Sequence, residues 1–154
     1  EFGGHKHAAG VTLHEKDIEE LRESIDAIAH REITPEMLIP EIVVDSELQL
    51  SELSPRFLEV LRRFAPFGYA NSKPMFYARN VRSANGVKII GGNHIKLRTV
   101  QSNFAIDAIG FNLAHKIKYC SNGKPFSICF NLEENAQNGS NAPQLSIKDI
   151  RPEE

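Results

Sequence analysis

Apolar residues in the first part of the chain recur at the spacing of an amphipathic helix. Between Glu15 and Arg31 they stand three or four positions apart, at Ile18, Leu21, Ile25 and Ile28. Acidic side chains occupy the opposite face, which is typical of a helix with one buried stripe. The pattern predicts a packing helix over 15–31, preceded by a short strand at 11–13.

A second, shorter helix is predicted from Pro55 to Phe64. Ser54 suits the N-cap. Pro55 suits the first helical position, because a backbone N–H there has no acceptor within the helix and proline loses nothing by lacking one. Its apolar face consists of Phe57, Leu58, Leu61 and Phe64. Before it, the apolar run 42–44 indicates a short strand.

Beyond Pro66 the spacing changes to period two, which indicates strands separated by turns. The predicted elements are strands at 75–82, 87–90, 94–100 and 104–111, a helix at 113–119, and strands at 126–132 and 145–150. Asn85-Gly86 predicts a turn, and Gly91-Gly92 a bend or bulge. Three strand regions, a helix and two further strands are the order of an OB-fold, a small barrel that often binds oligonucleotides. Phe126, Ile128 and Phe130 are expected in its core.

The net charge of −2 conceals an uneven distribution of charged residues. Residues 1–65 carry 7 Lys or Arg against 14 Asp or Glu, a net −7, whereas residues 66–151 carry 11 against 4, a net +7. The last two glutamates supply the remaining −2. A basic second part favours an anionic partner because each phosphate contact releases condensed counterions. A solvated basic surface is the alternative.

Candidate nucleic-acid contacts follow from the strand alternation. It places His94, Lys96 and Arg98 on one face, with the intervening residues on the other. Three more cations extend this stripe into a groove: Arg79, Arg82 and Lys88. Tyr69 and Tyr77 are candidates for stacking on bases.

The opening Gly3-Gly4-His5 is a candidate phosphate site, because paired glycines let backbone amides approach an anion closely. A helix starting near His5 would add its dipole. A disordered terminus, or a metal-chelating pair of His5 and His7, is the alternative. Two histidines are too few for a transition-metal site. We therefore expect no metal in this chain. The sequence also shows no recognisable nucleophile–base arrangement, so we expect no catalytic residue.

The cysteines and the hydropathy of the chain indicate the cellular compartment in which it is expected. Cys120 and Cys129 lack a CxxC spacing and are expected to be reduced thiols of a cytoplasmic protein. No run approaches the roughly 18 apolar residues of a membrane span, so no membrane partner is expected. The chain begins without Met and directly with the glycine motif, so we expect a piece of a longer polypeptide.

Several segments together resemble one family. Residues 2–10 resemble the GGHxxAAG signature of the accessory domain in the DHH phosphoesterase superfamily. Residues 66–76 resemble the PFGxGNPxPxF segment that opens the OB domain of RecJ-type exonucleases, and they include Tyr69 and Asn71. Residues 94–97 are similar to its HLK motif, and 107–111 and 144–150 to two of its strands. Ala70 and Ser72 depart from the usual Gly and Pro, which puts that loop's conformation in question.

The resemblance implies a mixed α+β chain with three parts: 1–32, the end of an α/β DHH-associated domain; 33–65, a helical connector; and 66–151, a five-stranded OB-fold barrel. It implies that Gly3, Gly4 and His5 hold substrate phosphate. Ala8, Ala9 and Gly10 would shape the turn there. The DNA-binding candidates in the OB part are Tyr69, Asn71, Tyr77, Arg79, Arg82, Lys88, His94, Lys96 and Arg98.

RecJ-type enzymes degrade single-stranded DNA from the 5′ end in recombination and repair, using Mn²⁺ or Mg²⁺ held by an N-terminal DHH domain. The resemblance therefore implies a substrate-binding fragment, inactive alone, whose partners are single-stranded DNA and, as a second candidate, single-strand-binding protein. Three alternatives stay open. They are a stand-alone nucleic-acid-binding module, a small-nucleotide phosphodiesterase of the same superfamily, and an OB-fold that mainly docks a protein.

Overall fold

The computed structural model describes residues 1–135 and 142–153, in two compact units, 1–41 and 42–154. The strands are β1 Phe2–His5, β2 Ala8–Val11, β3 Ser46–Glu47, β4 Phe76–Ile90, β5 His94–Gln101, β6 Phe104–Gly110, β7 Phe126–Asn135 and β8 Ala142–Pro152. The α-helices are α1 Ile18–Glu32, α2 Pro55–Arg62 and α3 Ile117–Cys120. Among the described residues, no helix is long and apolar enough to cross a membrane.

The first unit consists of a β-hairpin followed by α1. β1 and β2 pair antiparallel with Gly4 opposite Ala9, and a Cβ on Gly4 would lie only 2.8 Å from that of Ala9. Gly4 is therefore required by the close approach of the two strands. No helix starts near His5 to add its dipole to a phosphate site, because His5 ends β1 and pairs with Ala8. The strand predicted at 11–13 begins earlier, and the predicted helix follows a 3₁₀ turn at Glu15–Asp17.

The second unit is a closed barrel. Its sheet order is β3-β4-β5-β6-β8-β7, and the additional β4–β7 pairing closes the ring of five long strands. β6 and β8 are parallel, and the other pairs within the ring are antiparallel. A 3₁₀ turn at Ala114–Lys116 leads into α3 between β6 and β7. This is the five-stranded OB topology that the order of predicted elements indicated.

The barrel core confirms the alternation read from the sequence. Phe126, Ile128 and Phe130 are fully buried, and they lie beside residues of every other long strand. The segment before α2 also enters this core through Leu48, Leu50 and Leu53. Ser54 caps α2, because its Oγ accepts the backbone N–H of Phe57 at 3.2 Å. The strand predicted at 42–44 is wrong, and the short strand lies at β3 instead.

The predicted turn at Asn85-Gly86 is also wrong. β4 is one continuous strand, and its pairing with β5 shifts register between Ser83 and Val87. Gly86 adopts φ 76° within this bulge. Pairing with β5 on both sides of the bulge outweighs the local turn preference of the Asn-Gly pair. The chain instead reverses at Gly91 and Gly92, which have φ 56° and 80°.

Candidate nucleic-acid interface

The outer face of β4, β5 and β6 carries three of the predicted cations, Lys88, Lys96 and Arg98, all exposed. Ile95, Leu97 and Thr99 are buried, so the intervening residues of β5 point outward as predicted. Lys96 lies opposite Lys88 in the β4–β5 register, and both are exposed. These two lysines, with Arg98 beside them, are called the basic face below.

A shallow pocket of about 300 Å³ opens on the basic face, lined by the bulge of β4 together with Lys88, Lys96 and Arg98. Arg98 is held by Asp107 of β6, with Nη1 2.8 Å from Oδ1. Within residues 1–135 and 142–153, neither lysine has an acidic partner. Two like charges directly opposite each other destabilise a sheet. An anion between the two ammonium groups would relieve that repulsion.

His94 makes contacts within the protein. Its Nδ1 accepts the backbone N–H of Asn112 at 3.0 Å, so this nitrogen carries no proton. Its ring meets the Phe111 ring edge-on, with the centroids 5.2 Å apart. Phe111 is 51% exposed and was not among the sequence candidates, since it was placed at the end of a strand. The short interval between the strands predicted at 94–100 and 104–111 indicates a hairpin, which would bring His94 and Phe111 side by side, and this signal could have found it.

Tyr77 and Arg79 lie on another part of the barrel. The guanidinium of Arg79 stands 5.3 Å from the centre of the Tyr77 ring and pairs with Glu47 at 3.1 Å. Both line a separate pocket of about 320 Å³ with residues of β7 and β8, including Cys129. The structure does not bring them together with Lys96. Arg82 donates to the carbonyl oxygen of Gly123 at 2.5 Å, which fixes the loop after α3.

The loop containing Tyr69 and Asn71 is a tight turn. Gly68 and Asn71 exchange backbone hydrogen bonds, and the Asn71 amide donates to the carbonyl oxygens of Phe64 and Pro66 at 2.8 and 2.9 Å. Asn71 therefore braces the loop, whereas Tyr69 at its tip is 96% exposed. Ala70 adopts φ 64°, so this loop keeps a left-handed residue even with Ala in place of Gly.

The six candidates in the opening segment lie in the hairpin of the first unit and are exposed: Gly3, Gly4, His5, Ala8, Ala9 and Gly10. In the part of the chain that the structure describes, no three His, Cys, Asp or Glu residues are close enough to hold a metal ion. Burial raises the pKa of the Cys120 thiol to about 11 and also raises the pKa of Cys129. Both thiols are therefore protonated and poorly nucleophilic at neutral pH.

Known relatives agree with the barrel and its position in the chain. The family model of the RecJ OB domain matches residues 44–149. The single-stranded-DNA-specific exonuclease RecJ of Bacillus subtilis (strain 168) is 32% identical over 150 residues, which cover 96% of this chain and 19% of the relative. The enzyme of the same name from Escherichia coli (strain K12) is 24% identical over 155 residues, 98% of this chain and 26% of the relative.

A solved structure shows the same fold. The crystal structure of RecJ in complex with Mn²⁺ from Thermus thermophilus superposes with a TM-score of 0.75 at 23% identity, over 100% of this chain and 22% of that one. This chain thus spans only about a fifth to a quarter of the length of the relatives it matches. The family model covers most of the chain, including β4 to β7 in full and β8 as far as residue 149, and the chain therefore belongs to the RecJ OB domain family.

Proposed function

We propose that this chain holds single-stranded DNA for a RecJ-type exonuclease, with the basic face as the main contact. The observation that carries the proposal is the exposed pair Lys88 and Lys96, side by side without an acidic partner among the described residues. They lie on the first two barrel strands, next to the strand 2–3 face that OB-folds commonly use for oligonucleotides. The names of the curated relatives support DNA as the anion.

The remaining candidates extend this proposed contact. Tyr69 offers an exposed ring on a braced turn, and Arg98 offers a guanidinium already oriented by Asp107. Five further candidates are kept as weaker DNA contacts, because each has a protein contact or lies elsewhere on the barrel: Asn71, Tyr77, Arg79, Arg82 and His94. The opening hairpin is proposed to hold a substrate phosphate through Gly3, Gly4 and His5. The division into 1–32, 33–65 and 66–151 is likewise a proposal.

Hydrolysis is proposed to reside in another part of the full-length protein, with Mn²⁺ or Mg²⁺ bound there. Cleavage from the 5′ end, a role in recombination and repair, a cytoplasmic location and single-strand-binding protein as a second partner are carried over from the family as proposals. The purified chain, incubated with labelled single-stranded DNA and either metal, is expected to leave the DNA intact. Degradation that disappears on chelation would contradict this division of labour.

The DNA contact is tested by fluorescence anisotropy with a labelled single strand and a duplex of equal length, at several salt concentrations. We expect tighter binding of the single strand and a linear fall of log affinity with log salt. Each phosphate contact on a single strand contributes about 0.7 to that slope. The double variant Lys88→Gln, Lys96→Gln should therefore make this slope shallower by about 1.4.

The matched control is Lys118→Gln with Lys124→Gln, which removes the same charge from exposed lysines at the α3 end of the barrel. Its slope should stay close to that of the original chain. Equal effects of the two pairs would indicate nonspecific attraction by net charge. Absence of binding at low salt would contradict the proposal and favour the alternative of a protein-docking barrel.

A further inference from the structure

Phe111 forms an exposed aromatic surface beside the basic face. It follows β6 directly, at the position that the β5–β6 register places opposite His94. The two rings meet edge to face at 71°. On the other side, Ile90 of β4 lies opposite His94 and is also partly exposed. Ile90, His94 and Phe111 therefore form one apolar row across three strands.

Hydrogen bonds brace the two loops that flank this row. Three hydrogen bonds join the β4–β5 turn and the first residue of β5 to the segment after β6: the Asn93 amide to Oδ1 of Asn112 at 2.6 Å, the Ala114 N–H to the Asn93 carbonyl at 3.1 Å, and the Asn112 N–H to Nδ1 of His94 at 3.0 Å. Asn112 takes a left-handed conformation, φ 58°, directly after Phe111. A ring fixed in advance loses little conformational freedom when a ligand stacks on it.

The apolar row lies next to the two lysines. His94 and Lys96 are two residues apart on the same face of β5, as are Ile90 and Lys88 on β4. Two residues of a strand span roughly 7 Å. The Phe111 ring thus stands close to two ammonium groups that have no acidic partner among the described residues. Together they can contact the base and the phosphate of neighbouring positions on one strand of DNA.

We propose that Phe111 is a nucleobase-stacking site and that His94 is its positioning residue. The ligand is a base of the single strand whose phosphates lie on Lys88 and Lys96, so this inference rests on the proposed function. An exposed ring beside uncompensated cations is the combination with which proteins hold single-stranded nucleic acid. His94 acts through its hydrogen bond to Asn112 and its contact with the ring, and it needs no contact with DNA.

The chain contains no tryptophan, so Phe111→Trp creates a single fluorescent reporter at the site. We titrate this variant with oligothymidylate of about 12 nucleotides, within the range one OB-fold occupies, and with an abasic strand of the same length. Tryptophan fluorescence should change saturably with oligothymidylate and stay constant with the abasic strand. The matched control is Ile89→Trp, because Ile89 is 52% exposed but alternates to the opposite side of β4 from Lys88. Its fluorescence should respond to neither strand.

Affinity measurements on the full chain give the second readout. Phe111→Ala should weaken oligothymidylate binding about 5- to 160-fold without changing the salt slope, and Phe111→Tyr should restore the affinity. His94→Ala should weaken binding as well, and the double variant should lose no more than Phe111→Ala alone.

Salt-dependent binding that Phe111→Ala leaves unchanged would overturn the stacking site and leave the proposed function standing. A fluorescence response of the Phe111→Trp variant that is equal for the abasic strand and oligothymidylate would do the same. Absence of salt-dependent binding by the original chain would overturn both.

Discussion

The side-chain oxygen of Gln101 accepts a hydrogen bond from the backbone N–H of Leu50 at 2.6 Å. The amide nitrogen of the same side chain donates to the carbonyl oxygen of Arg79, also at 2.6 Å. Gln101 is only 5% exposed and lies at the end of β5. One side chain therefore ties the segment before α2 to the first barrel strand, two parts of the chain that are remote in sequence.

Gln101→Leu should lower the free energy of unfolding by about 1–3 kcal/mol, because it leaves the buried N–H of Leu50 and the part-buried carbonyl oxygen of Arg79 without this partner. Urea denaturation followed by circular dichroism measures the change. Asn103→Leu is the control, since Asn103 is exposed in the following turn and its replacement should alter stability by less than about 0.5 kcal/mol. Equal midpoints for Gln101→Leu and the original chain would contradict the bridging role.

The strained turn at Ala70 predicts a stabilising substitution. A left-handed conformation costs a residue with a Cβ about 1–2 kcal/mol, and Ala70 has φ 64°. Gly removes that cost but gains entropy in the unfolded chain, so Ala70→Gly should raise the free energy of unfolding by up to about 1 kcal/mol. Ala105→Gly, within β6, should lower it instead. Thermal unfolding of both variants checks the opposite signs.

The ion pair between Lys116 and Asp149 predicts a pH-dependent contribution to stability. Their side chains are 25% and 13% exposed. Burial is the largest influence on the pKa of Asp149 and raises it. The opposing influences together are larger: the hydrogen bond from Lys116, the hydrogen bond from the Ile150 N–H and the charge of Lys116. The pKa of Asp149 is therefore lowered overall. A lowered pKa in the folded chain stabilises it above the ordinary carboxyl pKa of about 4. That stabilisation is lost as pH falls through the lowered value.

Lys116→Met should therefore cost about 1–3 kcal/mol at pH 7, between the values for exposed and buried pairs. The difference from the original chain should begin to shrink below about pH 4, where this carboxyl becomes protonated in the unfolded chain, and should continue to shrink as pH approaches the lowered pKa of Asp149 in the folded chain. Urea denaturation at about pH 7 and about pH 3, on either side of that range, measures it. Lys118→Met, on the exposed side of α3, should cost less than about 1 kcal/mol at either pH. A constant difference across this range would exclude an electrostatic origin.

Local and tertiary features of the barrel were not equally predictable. Period-two alternation identified the core position of Phe130 and the outward position of Lys96, because alternation depends only on the strand itself. The prediction of a turn at Asn85-Gly86 failed because the same residue types occur in bulges, and here a bulge keeps β4 paired with β5. The bond between His94 and Asn112 lay beyond sequence reasoning, since it depends on how two loops meet in the folded barrel.

Gly110 links barrel packing to the position of Phe111. A Cβ on Gly110 would lie 2.9 Å from Cδ1 of Leu113 and 3.0 Å from Cγ1 of Ile95, and both neighbours are buried in the core. Gly110→Ala should therefore cost about 1–3 kcal/mol through overpacking. The strain should also shift the residue that follows. Gly68→Ala is the control, because no atom lies within 4 Å of its added Cβ and its φ is not left-handed.

The two consequences of Gly110→Ala are separated by measuring stability and DNA affinity on the same preparation. Urea denaturation gives the packing cost. Anisotropy at a temperature where the variant is fully folded gives the effect on binding, which should be a loss comparable to that of Phe111→Ala. A destabilised variant with unchanged affinity would show that Gly110 serves the core alone, because a displaced Phe111 ring would no longer meet the base.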